Sequence, residues 1–260
     1  MEYKDIIFTK RDGVATISIN RPDVMNAFRG QTVEELIHAF EDAGWDKSIG
    51  VVVFTSEGDR AFCVGGDQGA HDGYYDGRGT IGMPIEQLHT VIRDIPKPVI
   101  AKVKGYSIGG GNVFVTICDM CIASEKAIFG QAGPKVGSVD PGWGTAYLAH
   151  VVGEKKAREI WYLCRKYPAQ EALRMGLCNV VVPPEQLDAE VDKWCKEILD
   201  KSPTAIAIAK RSFNAGTDHI RGIGNLGMQA LALFYQTEES REGVNAFNEK
   251  RKPDFRKFAK

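Results

Sequence analysis

Tyr106-Ser107-Ile108-Gly109-Gly110-Gly111-Asn112, running into Val113-Phe114-Val115-Thr116-Ile117-Cys118-Asp119, is the stretch on which the reading of this chain turns. It follows an apolar run, Pro98 to Val103, with the character of a buried strand, and three glycines then open an apolar segment of helical length. An amide with no side chain over it can sit close to a ligand. At a helix start such amides have no internal partner and lie at the positive end of the dipole, so they can hold a carbonyl oxygen that becomes anionic. Upstream, Gly65-Gly66-Asp67 ends a strand-and-loop segment and offers a second amide. Glycine pairs are common in turns, so neither means much alone. Two in order predict an oxyanion hole.

Outward from this stretch, residues 14–20 alternate apolar and polar side chains as a strand, 31–43 carry the spacing of an amphipathic helix, and 51–55 form another strand. Strand, helix, strand argues for a crossover and a partly parallel sheet in an α/β fold. A helix over 85–95 stops before Pro96. Beyond Asp119 come a short strand, 120–123, and an aperiodic loop from Ile128 to Gly144. The remainder reads as mainly helical, with one strand at 179–182, which divides the chain into a core over 1–200 and a helical region over 201–260. The glycine-rich segment from Gln68 to Pro84 carries His71, Tyr74 and Tyr75 and reads as a lid over a ligand, with a plain insertion as the alternative.

Composition narrows the function classes. The 260 residues carry a net charge of −1 and no long basic stretch, so a nucleic-acid backbone is not the expected partner. Six scattered cysteines lie mostly in apolar segments, and the pair Cys118 and Cys121 lacks the second pair that a tetrahedral metal site needs, so no metal is expected. No signal-peptide pattern and no apolar run of membrane-spanning length is visible, so the expectation is a soluble, cytoplasmic protein with no membrane partner.

Phe62-Cys63-Val64-Gly65-Gly66-Asp67 and Gly105-Tyr106-Ser107-Ile108-Gly109-Gly110-Gly111, in this order of strands and helices, resemble the crotonase superfamily of coenzyme A thioester enzymes over essentially the whole chain. The resemblance implies a core of repeated ββα turns, a helical C-terminal trimerisation region and a homohexamer built as a dimer of trimers. It implies an acyl-CoA substrate, no required cofactor because CoA is part of that substrate, and an oxyanion hole formed by the amides of Gly66 and Gly110. Val64, Gly65, Asp67, Gln68, Tyr106, Gly109, Ala132 and Lys250 are the substrate and CoA contacts it implies.

Fold does not settle the reaction. Hydratases of the superfamily place one glutamate in the helix after the glycines and one in the next loop; these positions are Val113 and Gly133 here, which cannot carry a proton. Ser138 and Asp140 in the second loop, with Tyr235 downstream, stand in their place. The stretches 129–138, 157–165, 234–239 and 245–255 are similar to the naphthoyl-CoA synthases, which close a ring by Claisen condensation. Gly69, His71 and Met25 stand where that branch has basic residues, and the lid is shorter. The chain is also similar to the 2-ketocyclohexanecarboxyl-CoA hydrolases, which open a β-keto thioester ring to pimeloyl-CoA in aromatic and alicyclic degradation. The resemblance implies Asp140 as base, Ser138 as a hydrogen-bond partner of the ketone, and Tyr235 as an aid to protonation of the α-carbon. Gln131, Gly133 and Trp161 match synthases that bind bicarbonate, implying an anion or water site. On the residues alone, Asp140 before Pro141 is also a turn residue, Ser138 a turn cap and Tyr235 a core aromatic. A non-catalytic CoA-ester-binding or RNA-binding member is the alternative of another class.

Overall fold

The computed structural model describes residues 2–70, 75 and 77–259. Ten strands and ten α-helices fall within them: β1 (Ile6–Arg11), β2 (Val14–Ile19), α1 (Gly30–Trp45), β3 (Val51–Ser56), β4 (Ala61–Cys63), α2 (Ile85–Asp94), β5 (Val99–Val103), β6 (Tyr106–Ile108), α3 (Gly110–Ile117), β7 (Met120–Ser124), β8 (Ile128–Gly130), α4 (Leu148–Val152), α5 (Glu154–Leu163), β9 (Lys166–Pro168), α6 (Ala169–Arg174), β10 (Val180–Val182), α7 (Leu187–Leu199), α8 (Pro203–Ala215), α9 (His219–Tyr235) and α10 (Glu238–Asn248). A six-stranded sheet runs β1-β2-β3-β5-β7-β10 and a four-stranded sheet runs β4-β6-β8-β9. All pairings are parallel except β1 with β2 and β8 with β9.

The order explains the repeat. β3 and β4 precede α2, β5 and β6 precede α3, and β7 and β8 follow, so each turn gives one strand to the large sheet, one to the small sheet, and then crosses over. Every residue of β3 is buried, as expected for a central parallel strand covered on both faces. Val52 and Phe54 join the main core with Val99 and Ala101, while Val51 and Val53 pack with Ile100 and Ile122 against Leu187, Val191 and Cys195 of α7.

Two buried polar ties fix the ends. Asp5 accepts two hydrogen bonds from Arg29, both at 2.8 Å, and one from Thr32 at 2.6 Å, pinning β1 to the start of α1. These partners hold the Asp5 carboxyl below the usual range despite its burial. Lys210 of α8 reaches Asp119 at 2.8 Å and the carbonyls of Ile92 and Lys97, so the helical C-terminus is anchored to the core.

The main elements follow the sequence periodicity. β1 and the three-residue strands β4, β6, β8 and β9 do not: β1 is mostly exposed and lacks a clean alternation, and strands this short carry too few side chains to show a period. Tyr106 to Ile108, at the head of the glycine stretch, form a strand of their own.

Candidate active site

The small sheet positions the site. β4 and β6 are parallel neighbours, and each ends in one of the two glycine segments. Gly66 is bridged to Phe28. The carbonyl of Gly65 accepts from Phe28 N at 2.9 Å and the amide of Asp67 donates to Phe28 O at 2.8 Å. Those flanking groups face Phe28, so the amide of Gly66 between them faces the other way, into a cleft that Gly66 lines. Gly110 is the first residue of α3, where an amide has no intrahelical acceptor. The chain turns through Gly65 at φ +94° and Gly109 at φ +59°, conformations that side chains disfavour. A side chain on Gly110 would begin 2.7 Å from the Phe28 ring.

The cleft has a volume of about 480 Å³ and is lined by both glycines together with Ser138, Asp140 and Tyr235. The residues implied as base, ketone partner and proton donor are therefore brought to the same cavity as the two amides. Ser138 Oγ lies 2.8 Å from the hydroxyl of Tyr235. Asp140 Oδ1 accepts from the amide of Gly144 at 2.8 Å. Part of Asp140 is open to the cleft, yet its carboxyl lies deep in the molecule, and that burial lifts it to about 7, the Gly144 hydrogen bond opposing and the charge of Glu86 adding. Burial likewise lifts the Tyr235 phenol to about 12. Ile81, Met83, Ile85, Met228 and Leu231 form an apolar wall.

The remaining sequence-derived residues divide. Val64, Gly65, Asp67, Gln68, Gly109 and Ala132 line the cleft; Tyr106 and Lys250 are not among its walls, and the Tyr106 ring sits under the ammonium of Lys166. Asp67 is bound to Arg21 at 2.9 Å, so its carboxylate anchors the loop. In the segment read as a lid, Tyr75 is buried against Gly66, where a side chain on the glycine would begin 2.1 Å from the tyrosine hydroxyl. His71 and Tyr74 lie outside the described residues. Val113 is wholly buried in the main core.

Gly133 lines the cleft, and a side chain there would begin 2.6 Å from the carbonyl oxygen of Ser138 and 2.8 Å from the Trp161 ring. Trp161 gives its indole N–H to the carbonyl of Gly144. Among the side chains of the three residues matched to bicarbonate binding, Gln131 has a buried Nε2 with no hydrogen-bond partner among the described residues. A buried neutral amide donor suits the water reading of this site. Among the described residues no cluster of metal-ligating side chains occurs, and no helix is long and apolar enough to cross a membrane.

Sequence reasoning missed Phe28, whose backbone sets the Gly66 amide and whose ring backs Gly110. It also missed the apolar wall from α9, because a buried helical stripe looks alike whether it faces a core or a ligand.

The enoyl-CoA hydratase/isomerase family model matches residues 9–258. The chain belongs to that family. Its fold matches an enoyl-CoA hydratase from Mycobacterium avium subsp. paratuberculosis with a TM-score of 0.88 at 30% identity, covering 98% of this chain and 99% of that one. An enoyl-CoA hydratase/isomerase from Pseudoalteromonas atlantica gives a TM-score of 0.88 at 26% identity over 97% of this chain and 100% of that one. A carnitinyl-CoA hydratase from Mycobacterium avium gives 0.82 at 29% identity over 97% and 98%. As a member of the enoyl-CoA hydratase/isomerase family, the chain is an enzyme of CoA thioesters with the crotonase fold.

Proposed function

We propose that this enoyl-CoA hydratase/isomerase family member hydrolyses a ring carbon–carbon bond of a cyclic β-keto thioester, converting 2-ketocyclohexane-1-carboxyl-CoA to pimeloyl-CoA. The observation that carries the reading is Asp140: a buried carboxyl brought to about 7, in the same cleft that Gly66 and Gly110 line, while positions 113 and 133 offer no carboxylate. A carboxylate poised near neutrality suits a general base.

In this reading Asp140 takes a proton from water as the water oxygen bonds to the ring ketone carbon, and Ser138 hydrogen-bonds the ketone oxygen. The bond between that carbon and the α-carbon then breaks, its electron pair forming the thioester enolate, whose oxygen is held by the Gly66 and Gly110 amides. Tyr235, joined to Ser138, delivers a proton to the α-carbon, and the proton that Asp140 took from water is returned to the phenolate, restoring both groups. One water is consumed and an open-chain ω-carboxy acyl thioester leaves. Each amide would lower the barrier by roughly 3 kcal/mol. No step is assigned to bicarbonate.

The same groups serve ring closure in reverse, so the test offers both substrates. Purified enzyme is expected to release pimeloyl-CoA from the cyclic β-keto thioester and to form no naphthoyl product from succinylbenzoyl-CoA; the opposite result would establish the synthase. We also assign residues 201–260 to subunit contacts in a hexamer, supported by the exposed Phe213, Leu226 and Leu233 of α8 and α9. Light scattering that returned a monomer would overturn that assignment.

A further inference from the structure

Arg93 of α2 is a buried cation that no carboxylate pairs with among the described residues. Its guanidinium packs against two aromatic rings that themselves meet edge to face, 4.5 Å from the centroid of Trp143 and 4.4 Å from that of Tyr147, and it donates to Thr217 at 3.0 Å. Trp143 to Tyr147 is a single π-helical turn, closed by a hydrogen bond from Tyr147 N to Gly142 O. Such turns are rare, and they recur at functional sites. Within it lies Gly144, whose peptide groups are held on both sides: its N–H donates to Asp140 Oδ1 at 2.8 Å, and its carbonyl accepts from the indole of Trp161. A side chain on Gly144 would begin 2.7 Å from Cβ of Asp140, so backbone and carboxylate residue are in direct contact.

We propose that Arg93 and Trp161 are positioning residues for Asp140: Arg93 clamps the two rings of the π-turn, Trp161 fixes the Gly144 carbonyl, and together they keep the Gly144 amide on Oδ1 and leave Oδ2 for the substrate water. This rests on the reading of Asp140 as the base. The charged neighbours sharpen the role. Burial and the charge of Glu86 from α2 disfavour the Asp140 carboxylate, whereas the Gly144 amide is the interaction that favours it; the Asp140 charge in turn raises the phenol of Tyr235 from α9. Releasing that amide therefore raises the pH at which Asp140 ionises.

The test follows Asp140 directly, by carbon-13 NMR or infrared titration of the full-length protein, with Asp140→Asn identifying the signal. Trp161→Phe, which removes the indole N–H while keeping an aromatic ring, and Arg93→Lys, which keeps the charge and removes the planar stack, are each expected to raise the midpoint by about half a pH unit or more. Turnover of the CoA thioester is expected to fall about tenfold with KM within about twofold, the pattern of an interaction made in the transition state. An unmoved Asp140 midpoint in folded Trp161→Phe overturns the proposal, whatever happens to melting temperature. Should Arg93→Lys not fold, Trp161→Phe alone decides. Wild-type turnover by Asp140→Asn would sink the base reading, and the titration would still report on the clamp.

Discussion

The hydroxyls of Ser138 and Tyr235 meet at 2.8 Å although the residues are 97 positions apart, joining the loop after β8 to the end of α9. A second contact braces the same loop, since Ser240 of α10 donates to the carbonyl of Gly137 at 2.7 Å. Tyr235→Phe removes the phenol while keeping the ring in its buried place. Turnover is expected to fall about a hundredfold with KM little changed, as for loss of a group that moves a proton in the transition state. Steady-state kinetics on the cyclic β-keto thioester checks this, and a change confined to KM would assign the pair to substrate binding.

Asp140 yields a pH prediction with a definite sign. Its carboxyl ordinarily titrates at 3.8 and is lifted to about 7 by burial, so the folded protein holds that proton more tightly than the unfolded chain. The associated stability is fully present below pH 3.8 and is lost as pH rises through about 7. Asp140→Asn, neutral at every pH, should melt with wild type in acid and above it at pH 8, by roughly 5 °C. Catalysis should run the other way, rising through about 7 in wild type and absent in the variant. Parallel melting curves at both pH values would contradict the buried carboxylate.

Gly133 makes a third case. Because a side chain there meets the Ser138 carbonyl and the Trp161 ring, Gly133→Ala should cost roughly 1–3 kcal/mol of stability and displace Ser138, lowering turnover together with melting temperature. A fully stable, fully active alanine variant would show that the loop has room to yield.

The three glycines 109–111 are predicted to fail for different reasons. Gly109→Ala pays for a left-handed backbone, about 1–2 kcal/mol. Gly110→Ala pushes on the Phe28 ring, so its loss should appear in turnover, whereas Gly111→Ala meets the backbone carbonyl of Cys63 at 2.1 Å and should impair folding itself. Melting temperature and kcat measured side by side separate the three.

How far the chain can be read in advance differs by element. The long helices and the central strands show their period because each buries one face or both. The small sheet does not, because Ala61–Cys63, Tyr106–Ile108 and Ile128–Gly130 gain their strand character from neighbours contributed by other turns of the repeat. At the site, the paired glycine segments point to Gly66 and Gly110, while Ser138, Asp140 and Tyr235 can be named only through the family resemblance, since their residue types alone read as turn and core residues; the fold places all five around one cleft. The part played by Phe28 and the double hold on Gly144 rest on backbone groups, which look the same for every residue and leave no mark in a sequence.

Gly66 and Gly110 hang from adjacent strands of one sheet, whereas Met228, Leu231 and Tyr235 come from a helix far along the chain. The two amides are therefore placed by loops that leave neighbouring strands of one sheet, and the sheet holds their relative position. The acyl pocket is under no such restraint. A library confined to Met228 and Leu231 of α9, leaving Tyr235 in place, should exchange one acyl group for another while every surviving variant still grips the thioester, which makes that helix the natural handle for redirecting the enzyme to new acyl groups.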